Sequence, residues 1–169
     1  MSDAVGPHDP AVILDAMHRR RVDYIVIGGV AVQAHGNPRT TQDLDLLVSP
    51  EPANLGRLAA ALEDLDALLY ATATEAVQFA PDAAFLTTKT SWSLTTPGGG
   101  GLDLWIDTTD LAGARGDWRA LRERALEIVL AGATVPVVGR DDLISLKRAA
   151  GRERDLADLA ALTSFEASD

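Results

Sequence analysis

The sequence predicts an α/β chain of the α+β kind, in which a small mixed β-sheet flanked by helices is followed by a helical C-terminal part. Three observations point there. Apolar runs at 24–27, 43–48 and 102–106 have strand length, and segments of helical period stand between them. A threonine-rich alternating stretch over 85–95 meets the last of these runs across Pro97-Gly98-Gly99-Gly100-Gly101, as the two arms of a hairpin would. From Asp117 onward the apolar spacing is again mostly helical.

In chain order, Asp9 is the expected N-cap of a first helix with Pro10 in its first turn. Val12, Ile13, Ala16 and Met17 would face a core, and Arg19, Arg20 and Arg21 suit the negative end of the helix dipole. Tyr24 to Ile27 reads as a buried strand that ends at Gly28-Gly29. A short helix from Val30 to His35 is then stopped by Gly36-Asn37-Pro38. After the strand Asp43 to Val48, Ser49 is the expected cap of an amphipathic helix over about 50–66 carrying Leu55, Leu58, Ala59, Leu62 and Leu65. Residues 67–82 show no clear period, so a short helix or irregular segment is expected there. Beyond Asp117, a strand from Thr134 to Val138 precedes helices over 141–150 and 153–163, which meet near Gly151. A boundary within 112–116 separates residues 1–111, the mixed core, from residues 112–169, a mainly helical part packed on it as one compact domain.

Composition narrows the functional classes. With 169 residues, 47% of them hydrophobic, the chain can bury a real core. It contains no cysteine, which removes disulfides, thiolate metal sites and cysteine nucleophiles together. The opening Met1 to His8 is polar without a signal pattern, and no apolar run approaches the roughly 20 residues that span a bilayer. A cytoplasmic protein with no membrane partner is expected. A formal charge of -10 argues against a broad nucleic-acid-wrapping surface, although a local basic patch is compatible with it.

Asp43 and Asp45 carry the most chemistry. Alternation along a strand places residues i and i+2 on one face, so the two carboxylates point together and call for a cation between them. Asp103 interrupts a second apolar strand between Leu102 and Leu104, where a buried carboxylate is costly unless paired or metal-bound. Gly28-Gly29, between a strand and a helix, would bring backbone amides to an anion. Hard cations such as Mg2+ favour oxygen ligands, and two of them roughly 3.5–4 Å apart can hold the attacking and leaving oxygens of an in-line displacement. Asp43, Asp45 and Asp103 are therefore the candidate ligands of two Mg2+ ions, with a nucleoside triphosphate as substrate.

This order of apolar strand, Gly-Gly turn, helix, Asp-x-Asp strand and later acidic strand resembles the polymerase-β-like minimal nucleotidyltransferase superfamily. The likeness spans most of residues 22–106 and implies the nucleotidyltransferase fold. The stretch Asp142 to Leu159, with Lys147 and Arg154-Asp155-x-x-Asp158-Leu159, is similar to the lysine and Arg-Asp motifs of the AbiEii group, which includes nucleotidyltransferase toxins. That resemblance implies a tRNA or protein acceptor and a cognate antitoxin as partner. It also implies that Lys147 contacts nucleotide phosphates in a catalytic role, with Arg154, Asp155 and Asp158 supporting. The chain lacks the large C-terminal extension of many such toxins, and its His35-Gly36-x-x-Arg39 stretch is closer to small relatives.

Plainer readings stand beside these. Gly28-Gly29 could simply permit a tight turn, since neither a dinucleotide fingerprint nor a P-loop follows. His35 reads as a helix-end residue, and Arg39 either binds phosphate or pairs with an acidic neighbour. Asp107 and Asp110 compete with Asp103, but their polar threonine setting suggests loop. Lys147 and Arg154 align only if one helix runs through Gly151. Three classes follow: an active enzyme that moves a nucleoside monophosphate to RNA, a protein or a small molecule; a nucleotide-binding regulator without turnover; and the partner-binding half of a toxin-antitoxin pair.

Overall fold

The computed structural model describes residues 9–164. The N-terminal octet, read above as free of a signal pattern, lies outside them. Among the described residues eight strands form one mixed sheet. At its centre β1 (Tyr24–Ile27) runs antiparallel to β2 (Asp43–Val48), which runs parallel to β6 (Gly100–Ile106). On one flank β5 (Ser91–Thr96) pairs with β6, and β3 (Leu68–Tyr70) and β4 (Ala76–Val77) extend the sheet to that edge. On the other, β8 (Ala133–Val137) lies parallel to β1 and pairs with β7 (Leu126–Leu130).

One face of the sheet is a dry core. Leu44, Leu46 and Val48 alternate toward it and are fully buried, in one cluster with Ile13 and Met17 of α1 (Pro10–Arg19) and Leu55, Leu58 and Leu62 of α3 (Pro52–Asp64). At roughly 1.5–3 kcal/mol per buried aliphatic side chain, this face is the main stabilising surface. Asp9 caps α1 as expected, accepting from the Ala11 N–H at 3.0 Å. Leu14 is buried where Val12 was expected, because the helix turns position 12 outward to 37% exposure. The cap of α3 is Glu51 without a side-chain bond, and Ser49 stays two residues upstream, buried, with its Oγ 3.5 Å from the Glu51 N. Asn54 explains the shift. Fully buried, it bonds Asp23 N and O and Ser49 O, and so ties this helix to the ends of β1 and β2.

Three local expectations are corrected. Residues 67–82 contain the short strands β3 and β4, stabilised by pairing at the sheet edge that no local period announces. The stretch 85–95 is not strand throughout: α4 (Ala83–Leu86), capped by Asp82, precedes β5, and Phe85 stacks on Trp92 at 4.8 Å. After α5 (Trp118–Arg124), β7 continues the sheet where helix was expected, so the chain beyond residue 112 adds two strands as well as α6 (Arg140–Ala150) and α7 (Glu153–Ser164). Among the described residues no helix is long and apolar enough to cross a membrane.

Candidate active site

The opposite face of the sheet holds a cleft of about 660 Å3. In-register pairing of β2 with β6 sets Asp45 directly beside Asp103 and Asp43 beside Gly101, and pairing of β5 with β6 sets Ser93 beside Asp103. The three acidic positions thus meet on neighbouring strands, all lining the cleft. Burial first, and then the charge of Asp103, its hydrogen bond and the charge of Asp43, raise Asp45 to about 7, with Lys147 pulling the other way. Asp103 is also raised, chiefly by burial and by Asp43, although the Ser93 hydroxyl donates to its Oδ1 at 2.9 Å and Arg154 favours its charged form.

Glycines make room for these carboxylates. Gly28 follows β1 with φ +67, and a Cβ there would come within 2.0 Å of Asp45 Oδ2. A Cβ on Gly101 would come within 1.9 Å of Asp43 Oδ1. Gly29 leaves space for the Arg39 guanidinium, whose Nη1 would lie 2.5 Å from an added Cβ. Both glycines of the pair fall in the first turn of α2 (Gly28–Ala34), two residues earlier than expected, so that helix opens directly onto Asp45.

Cations gather on the side of α2. Gly151 takes a left-handed conformation (φ 63) and ends α6, so Lys147 and Arg154 do not share a helix. The chain reverses there, and α7 packs on α6. Lys147, 6% exposed, therefore lies 3.1 Å from Asp155 Oδ1 and 2.8 Å from Asp158 Oδ2. Arg39 pairs with the same Asp158 Oδ2 at 3.1 Å, the acidic neighbour of its two readings, and also lines the cleft. Asp155 is fully buried yet lowered, because hydrogen bonds from Arg152 and Lys147 outweigh its burial. Arg152 and Arg154 are exposed and line the cleft.

The remaining candidates have structural tasks. His35 caps α2 and its Nε2 lies 2.8 Å from the Val138 carbonyl. Asp107 accepts from the Trp118 N–H at 3.3 Å, and Asp110 accepts from the Thr90 hydroxyl at 2.8 Å at the rim of the cleft. Sequence reasoning missed Gly101, Ser93 and Arg152. Gly101 was hidden in a four-glycine run, although Gly101-x-Asp103 repeats the spacing of Asp43-x-Asp45. Ser93 and Arg152 depend on strand pairing and on the reversal at Gly151, which no local signal reveals.

The donor set suits a hard divalent cation: three carboxylates, two of them held against each other in partial burial, with the space of two missing Cβ atoms around them. Among the described residues no three His, Cys, Asp or Glu side chains already stand at ligating distance.

No protein-family model and no curated protein matches the chain. Solved structures do. The lincosamide antibiotic adenylyltransferase LnuA, with lincomycin bound, superposes with a TM-score of 0.61 at 16% identity, covering 90% of this chain and 93% of that one. The antibiotic-resistance factor ANT(2'')-Ia in solution gives 0.50 at 19%, covering 93% and 90%. A Thermotoga maritima protein assigned as a nucleotidyltransferase gives 0.50 at 13%, covering 90% and 89%. With its mixed sheet, its flanking helices and these likenesses, the chain has the nucleotidyltransferase fold.

Proposed function

We propose that the protein is a Mg2+-dependent nucleotidyltransferase of the cytoplasm, moving a nucleoside monophosphate from a triphosphate to a hydroxyl acceptor. One observation carries this reading: the Gly28 turn, Asp43, Asp45 and Asp103 converge on a single cleft, with Asp45 and Asp103 in register. Asp43, Asp45 and Asp103 would hold Mg2+, which supplies charge neutralisation at the α-phosphate and a more acidic acceptor hydroxyl. The start of α2 offers backbone amides to the triphosphate tail, and Arg152, Arg154 and Lys147 supply positive charge on the same side. The acceptor oxygen bonds to the α-phosphorus as the bond to the β-phosphate oxygen breaks. Pyrophosphate carries the electron pair away, and the hydroxyl proton passes to Asp103.

The AbiEii resemblance suggests tRNA or a protein as acceptor, with an antitoxin partner, whereas LnuA acts on a lincosamide antibiotic. Purified protein incubated with Mg2+, each labelled triphosphate and mixed acceptors should yield a labelled product that Asp43→Ala abolishes. Triphosphate binding, measured separately, should persist without acceptor. If the wild type neither binds a triphosphate nor labels anything, the enzyme reading is lost.

A further inference from the structure

Resting on that reading, we propose that the acceptor is a small, phosphate-free hydroxyl compound, neutral or cationic, seated on the wall formed by Trp105, Ser91, Ser93 and Asp110. In-line displacement requires the incoming oxygen to approach the α-phosphorus opposite the departing pyrophosphate. The basic residues that line the cleft are Arg39, Lys147, Arg152 and Arg154, all from the 36–42 loop, α6 and the segment that opens α7. They fix where the anionic tail lies. The acceptor must then enter across Asp103 from the side of β5 and β6.

That wall has its own chemistry. Gly101, Asp103 and Trp105 share the cleft face of β6, and Ser91 and Ser93 stand opposite Trp105 and Asp103 on β5. Trp105 is half-buried, a platform for the ring or apolar face of a ligand, while the exposed Ser91 offers a hydroxyl to a polar edge. Asp110 keeps a carboxylate at the rim that a cationic group would find attractive. Among the described lining residues this wall has no lysine or arginine.

A polynucleotide acceptor fits poorly. Nucleic-acid binding draws on phosphate neutralisation by several basic side chains. Here the basic side chains of the cleft stand together on the triphosphate side, and the acceptor side presents Asp110 and Asp103. A cleft of about 660 Å3 lies within the range of small-ligand sites.

The test uses the full chain with Mg2+ and each labelled triphosphate against two acceptor pools. One is deproteinised tRNA; the other is a low-mass cell filtrate, treated with phosphatase and passed over an anion exchanger. Label is expected in a small product and not in RNA. With that product's acceptor, Trp105→Ala should raise KM about tenfold or more while the triphosphate dissociation constant stays unchanged. Asp110→Asn should raise KM for cationic acceptors several-fold and leave neutral ones unaltered. Between 50 and 200 mM salt the acceptor KM should move by less than about threefold, against the roughly 10^3-fold or greater loss expected of a many-phosphate contact. Labelled RNA overturns the proposal, as does a labelled small product whose KM ignores both Trp105→Ala and Ser91→Ala. Triphosphate binding without label in the small-molecule pool overturns it as well. Absence of triphosphate binding would instead remove the parent reading.

Discussion

Two clusters of carboxylates in this molecule feel the charge of the same Lys147 and behave in opposite ways. Asp43, Asp45 and Asp103 crowd one another on β2 and β6, and burial with mutual repulsion raises Asp45 and Asp103. Asp155 and Asp158 on α7 are at least as buried, yet Lys147, Arg39 and Arg152 form ion pairs with them. The difference lies in counter-charge. The helix pair has its counter-charges within the protein, whereas the strand trio stands among like charges, which on the proposed function Mg2+ would balance. Like charges left together at a glycine-lined cleft mark a candidate binding site.

The largest effect should come from emptying the strand trio. Asp43→Ala or Asp103→Ala is expected to lower the transfer rate at least about 10^2–10^3-fold, read in single-turnover assays with the circular dichroism spectrum unchanged. The helix pair should respond in stability instead. Lys147→Ala leaves Asp155 and Asp158 buried without their shared cation, so urea unfolding should reveal a loss of about 3–5 kcal/mol. A Lys147→Ala protein as stable as wild type would mean that the two groups do not differ in the way described.

Gly28→Ala tests the space around Asp45. The new Cβ would collide with Asp45 Oδ2 at a backbone conformation unfavourable to L side chains, costing roughly 1–3 kcal/mol and weakening Mg2+ binding in calorimetric titrations. Thermal melts of Gly36→Ala serve as a control. That residue also has a positive φ, but an added Cβ would meet nothing within 4 Å, so its cost should be smaller.

The last effect carries the opposite sign. With Mg2+ chelated, Asp45 holds a proton up to about pH 7 in the folded protein but releases it near 3.8 when unfolded. Between these values the folded state binds more protons, so this group's contribution to stability falls as pH rises from about 4 to 7. Asp45→Asn should therefore stabilise the chelated protein by roughly 1–3 kcal/mol at pH 8 and change little near pH 4. Asp155, being lowered, stabilises above its ordinary carboxylate value, and that contribution is lost in acid. Melts of Asp155→Asn should lose stability at neutral pH, and a gain there would erase the contrast between the groups.

Much of the fold was legible because local chemistry enforced it. The bounds of β1 and β2 follow from apolar runs ended by glycines and by Ser49-Pro50, and Asp9 caps α1 through its own side chain. Asp43 and Asp45 were readable from strand alternation alone. Illegible were β3, β4 and β7, whose stability comes from edge pairing rather than from residue period. Arg39 could be narrowed only to phosphate or an acidic partner, since Asp158 is more than a hundred residues away in the chain.

By itself, then, the sequence determined the elements whose signals are local: periodicity, capping, the glycine turn and the acidic spacing on each strand. The tertiary structure alone decided that β6 lies parallel and in register beside β2, which turns two separate acidic motifs into one cluster. It also decided that the reversal at Gly151 folds α7 back onto Lys147, so that one set of carboxylates is neutralised and the other is left open. The physical reason is common to both. Electrostatic fit depends on distances of a few ångströms between segments far apart in the chain, and only the closed fold fixes those.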